Sequence, residues 1–78
     1  MPKVHEEAGC KFFINTDDHF PPHVHVLVGG RIVVLELNPT ASLMKETSAS
    51  ASDVKKAQRI LLENRAKLRK AWKQLHAK

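Results

Sequence analysis

The sequence predicts an α+β fold: a small antiparallel sheet of three strands, with a candidate fourth at Ser42 to Lys45, packed against a C-terminal amphipathic helix. Three observations lead there. Two apolar runs are separated by Gly29-Gly30, a pair that accepts positive φ in a two-residue hairpin. The last third of the chain repeats apolar side chains at helical spacing. At 78 residues the chain can build one thin core, so strands and helix must share it as a single domain over residues 1–78.

Cys10 to Ile14 is an apolar run closed by Asn15-Thr16-Asp17-Asp18, which reads as a strand over 10–14 and its turn. Strands over 23–28 and 31–37 flank the glycine pair. A two-residue loop fixes their register: Val28 opposite Arg31, Val26 opposite Val33, His25 opposite Val34 and His23 opposite Glu36. Alternation then gathers Val24, Val26, Val28, Val33, Leu35 and Leu37 on a core face, and puts His23, His25, Leu27, Ile32, Val34 and Glu36 on the other. That second face is partly apolar, so it asks for a cover: another strand, a loop or another chain.

Asn38-Pro39-Thr40 ends the strand, because proline gives no ladder donor and asparagine favours turns. A Ser-, Ala- and Thr-rich linker over 38–51 follows. Ser52 is the expected N-cap, with Asp53 where the helix dipole favours negative charge, and the helix spans about residues 53–76. Val54, Ala57, Leu61, Leu68, Ala71, Trp72 and Leu75 share one face, and Asn64 interrupts the stripe. In one piece this helix would extend ~39 Å, against ~20 Å for a six-residue strand. It must either bend near Asn64 or pack its distal half on something beyond the sheet.

The formal charge of +5 is unevenly placed. Residues 1–52 hold four Lys and Arg against six Asp and Glu, a net −2, whereas residues 53–78 hold nine against two, a net +7. Lys55, Arg59, Lys70 and Lys73 fall opposite the apolar stripe, a face that is either solvated or aimed at an anionic partner such as RNA. Cys10 is the one cysteine, which excludes an intrachain disulfide and a thiolate zinc site and marks it as a small buried hydrophobe. No segment approaches the ~20 apolar residues that span a bilayer. A soluble protein of the reducing cytoplasm, with no membrane partner, is expected.

Chemistry concentrates in Asp18-His19-Phe20-Pro21-Pro22-His23-Val24-His25-Val26. This DHFPPHVHV stretch, followed by a hairpin and a C-terminal helix with a tryptophan, resembles the bacterial domain-of-unknown-function family 4160 over roughly residues 10–75. Asp18, His19, Pro21, Pro22, His23, Val24 and His25 are the matching positions. The resemblance implies a small protein of a two-gene module of toxin–antitoxin type, paired with another short protein, and no particular reaction.

The residues themselves admit three readings. His23 and His25, two apart on a strand, point the same way. With His19 they could act as general acid and base in RNA cleavage, needing no cofactor and aided by Lys11 or a helix lysine, since Arg31 falls on the other face. The same His19, His23 and His25 with Asp18, Asp17 or Glu36 could instead ligate a divalent transition metal. In the third reading they shape the turn, around two X–Pro bonds open to the cis form, and offer a recognition surface to a homodimer or a small protein partner. His5 and His76 are expected to be solvated near the termini. Phe12, Phe13 and Phe20 are expected in core and turn packing, and Trp72 in the core or an interface.

Overall fold

The computed structural model describes residues 2–17 and 19–76. Strands β1 (Lys3–Glu7), β2 (Cys10–Phe13), β3 (His23–Val28) and β4 (Arg31–Glu36) form one antiparallel sheet in sequence order, followed by helices α1 (Ala51–Glu63) and α2 (Arg65–His76). The β3–β4 hairpin takes the register that a Gly-Gly loop dictates, with Val28 paired to Arg31, Val26 to Val33 and His23 to Glu36. Gly29 and Gly30 hold φ of +57° and +73°, which favours glycine at both positions. Val24, Val26 and Val28 are buried, and His23, His25 and Leu27 between them are half-buried on the other side. A Cβ on Gly29 would stand 2.8 Å from Asp53 Oδ2, so this glycine also lets the first turn of α1 settle on the hairpin tip.

The fourth strand is N-terminal. Lys3–Glu7 has Val4 as its one aliphatic residue, so no apolar alternation marks it in the sequence. It is folded back by Ala8-Gly9, both at positive φ (52° and 79°), and a bulge between Lys3 and His5 places His5 opposite Phe12. The segment from Ser42 to Lys45 makes an isolated bridge, Leu43 to Leu35, flanked by Glu36 N–H to Ser42 O and Met44 N–H to Val34 O, each 2.9 Å. It lies along β4 without becoming a strand.

The helical region starts earlier than Ser52 and is divided. Ser50 is the N-cap: its Oγ accepts from the Asp53 N–H at 3.1 Å, and Ser52 lies inside the first turn. Asn64, at φ −120° and ψ 19°, caps α1 with its N–H on the carbonyls of Ile60 and Leu61, while its side-chain Nδ2 also donates to Ile60 O at 2.9 Å. Ile60 O thus serves both Asn64 groups while Leu61 O takes the Asn64 N–H in a tighter turn that ends one helix, and the Leu68 N–H on Asn64 O at 2.9 Å begins the next. Ala57, Ile60 and Leu61 of α1 and Leu68 and Trp72 of α2 join the buried face built from Cys10, Phe12, Ile14, the valines, Leu35 and Leu37.

Two polar joints fasten α2 across the sheet. At β1, Lys67 Nζ donates to His5 Nδ1 at 2.8 Å. With Nδ1 accepting, the proton of the neutral ring sits on Nε2, which donates to Glu7 Oε1 at 3.0 Å. His5 also meets Phe12 edge-on, with ring centroids 5.7 Å apart. It is therefore a structural joint and not the solvated residue that its place near the terminus implied. Past the end of β4, Arg69 Nη1 donates to Leu37 O at 2.9 Å. Among the described residues no helix is long and apolar enough to cross a membrane.

Ser50→Ala should lower stability by about 1 kcal/mol in urea denaturation, while Ser52→Ala should change it by no more than about 0.5 kcal/mol. Cys10 is fully buried, and that burial pushes its thiol above the ordinary value. The unfolded chain therefore loses this proton first on raising the pH. The stability is present below the ordinary thiol range and declines as pH climbs through the folded value, so the urea midpoint should fall above about pH 8.5. Iodoacetamide should leave Cys10 unmodified at neutral pH until the protein unfolds.

Candidate functional site

The histidine motif occupies the turn between β2 and β3 and the start of β3. Asn15 opens the turn by accepting the Asp17 N–H on Oδ1 at 3.0 Å, and the Phe20–Pro21 peptide is cis. Pro22 O accepts from the Leu37 N–H at 2.8 Å, which extends the β3–β4 pairing by one bond into the motif. His23 Nδ1 lies 2.8 Å from Pro21 O; a carbonyl only accepts, so Nδ1 carries the proton. The rings of His23 and His25 are 5.4 Å apart on the side away from the valines. Phe13 stands opposite His25 in the β2–β3 ladder, and Glu36 opposite His23 in the β3–β4 ladder.

Not every residue expected at this site is brought to it. His19 is exposed and has no ring contact or hydrogen bond to His23 or His25. Asp17 is exposed, and Asp18 lies outside the described residues. Arg31 points elsewhere, as the register requires, and donates from Nη1 to Ser48 Oγ at 3.2 Å. Among the described residues no group of three His, Cys, Asp or Glu side chains is placed to hold a metal ion.

What the site gains comes from α2. Beyond the core, this helix carries Trp72 to the motif, with its ring 5.4 Å from that of His23 and 6.1 Å, edge-on, from Phe20. His76, one turn later, stacks on Trp72 at 3.9 Å and 21°, its Nδ1 bonded to Trp72 O at 2.9 Å. Phe20, Pro22, Arg69, Trp72, Lys73 and His76 line a recess of about 390 Å³. Trp72 is 3 % exposed, as its place on the apolar stripe predicts, but Phe20 is 81 % exposed and does not join the core or pack the turn shut. His76 is likewise half-buried in a ring stack instead of solvated. Its spacing of four from Trp72 was the available signal, since residues so spaced meet on a helix.

The basic residues divide with the helix. Lys55 and Arg59 line a shallow hollow on α1 with Ser52 and Lys56. Lys70 and Lys73 line another of about 420 Å³ on α2, with Arg65, Ala66 and Arg69. The second hollow shares Arg69 and Lys73 with the aromatic recess, which makes a continuous surface of flat rings running into cations.

Fold and site together define a small α+β protein whose motif-bearing turn is completed by its last helix. Residues 9–73 match the domain of unknown function DUF4160, and the chain belongs to that family. No curated protein and no solved structure matches it.

Trp72 is the one tryptophan and there is no tyrosine, so the intrinsic fluorescence reports on this site. His76→Gln should change that emission more than His23→Gln does, because the His76 ring is stacked on Trp72 at 3.9 Å whereas the His23 ring lies 5.4 Å away.

Proposed function

We propose that this chain is a partner-binding component of a two-gene module of toxin–antitoxin type, and that its ligand is single-stranded RNA held where the DHFPPHVHV motif meets α2. The observation that carries this reading is the convergence on Trp72 of Phe20, His23 and His76, with Arg69 and Lys73 bordering the same recess. Flat rings that stack unpaired bases, beside cations that meet phosphates, are the usual equipment for holding single strands. A net charge of +7 over residues 53–78 favours an anionic ligand there and steers it in. The two-gene assignment rests on the family resemblance. The homodimer or small protein partner that it calls for would find Ile32 on β4 and Leu43 beside it, both exposed.

Binding is favoured over cleavage by where the two imidazoles lie. The recess is lined by Phe20, Pro22, Arg69, Trp72, Lys73 and His76, so His23 and His25 do not face it as the acid–base pair that cleavage would require.

An RNA of about ten nucleotides, titrated by anisotropy, should bind with an affinity that falls roughly 20-fold between about 50 and 200 mM salt, the effect of neutralising about three phosphates. Absence of binding, or binding indifferent to salt, rejects the reading. The RNA should stay intact; cleavage that His23→Gln abolishes would replace binding with catalysis.

A further inference from the structure

We infer that the recess between the motif and α2 is a nucleotide subsite: one unstacked base of the RNA enters between Phe20 and the Trp72–His76 stack, and the adjoining phosphates lie along Arg69 and Lys73. This rests on the RNA reading above and specifies where a base, as distinct from the backbone, is held. At about 390 Å³ the recess lies at the small end of the ~300–1,000 Å³ typical of small-ligand sites, a size for a single base and its sugar.

The walls have the chemistry of a base site. Phe20, the most exposed large apolar side chain among the described residues, meets Trp72 edge-on and leaves most of its ring open to solvent. Trp72 Nε1 and His76 Nε2 are both withdrawn from solvent and have no hydrogen-bond partner among the described residues. An indole N–H only donates. The His76 ring, with Nδ1 donating to Trp72 O, presents Nε2 as an acceptor when neutral. Buried polar atoms without partners are uncommon and ask for a cause. A nucleobase edge offers an acceptor and a donor side by side, the complement of this pair. Phe20, edge-on to Trp72, is the wall that a base displaces to reach them.

The cations extend the site in one direction. Arg65, Arg69 and Lys73 follow at four-residue intervals, about 6 Å apart along the helix, and line the hollow that continues from the recess. Arg69 uses Nη1 on Leu37 O, which anchors the guanidinium at the sheet end with further N–H groups left for a phosphate. An acidic peptide would satisfy these charges too, but it has no use for a slot between flat rings with a polar edge.

The test is a binding cycle on the whole chain, using an RNA decamer and the same decamer with one abasic position, read by anisotropy and by Trp72 emission. The intact RNA should quench Trp72. Phe20→Ala, whose ring is exposed and whose melting temperature should match that of the wild type, should weaken intact RNA by about tenfold or more. The abasic RNA should bind wild type equally weakly, and Phe20→Ala should add no further loss with it. Lys73→Gln should reduce the salt slope by about 0.7, and Lys55→Gln with Arg59→Gln should leave the quench unchanged. Failure of any RNA to bind overturns the function proposed above and this subsite with it. Binding that neither Phe20→Ala nor the abasic position weakens overturns the subsite alone. Equal affinity for the matching DNA overturns RNA as the ligand, and binding of an acidic peptide but no RNA overturns the nucleotide assignment.

Discussion

The Gly29–Gly30 turn closes β3 onto β4 with no residue to spare, and the rest of the molecule inherits its register. A slip of one position would send Val24, Val26 and Val28 outward and turn His23 and His25 into the core. The same turn sets where the helices dock. With no Cβ on Gly29, Asp53 comes close enough that α1 begins at the hairpin tip and runs over β3 and β4. From that fixed start, thirteen residues of α1 and the break at Asn64 determine where α2 crosses and where Trp72 arrives. The position of the aromatic recess is thus set at the far end of the sheet from it.

This dependence explains what could be read from the residues alone. The hairpin was legible because a two-residue glycine loop leaves one register, and the outward placement of His23 and His25 followed from it. The helix was legible from its apolar stripe, and its excess length over the sheet announced that something had to give. The first outcome occurs: the helix divides at Asn64, and α2 stays on the sheet with Leu68 and Trp72 in the core, Trp72 also meeting the motif turn. β1 was hidden because a charged edge strand has no apolar alternation, and its pairing depends on β2 and the Ala8-Gly9 turn. Ser50 and Ser52 offer the same hydroxyl, and only the backbone at Ser50 decides between them.

The site itself was half legible. The motif named His23 and His25, but their neighbours Trp72 and His76 lie about fifty residues away in the chain, joined to them by packing that no local pattern encodes. His5 and His76 illustrate the difficulty from both ends. Each sits near a terminus, where side chains are usually solvated. Each is drawn inward by a specific partner: Lys67 and Phe12 for His5, and Trp72 for His76.

The order of the sheet, with each strand beside its neighbour in the chain, leaves β1 and β4 as its two edges. Neither invites another strand. β1 is short, charged and bulged at Lys3, and β4 has much of its outer row of donors and acceptors taken by Ser42 and Met44. Such edges guard a small sheet against edge-to-edge aggregation. They also make poor templates for capturing an extended peptide through main-chain pairing. What this small sheet presents to its surroundings is therefore chiefly side chains and their chemistry.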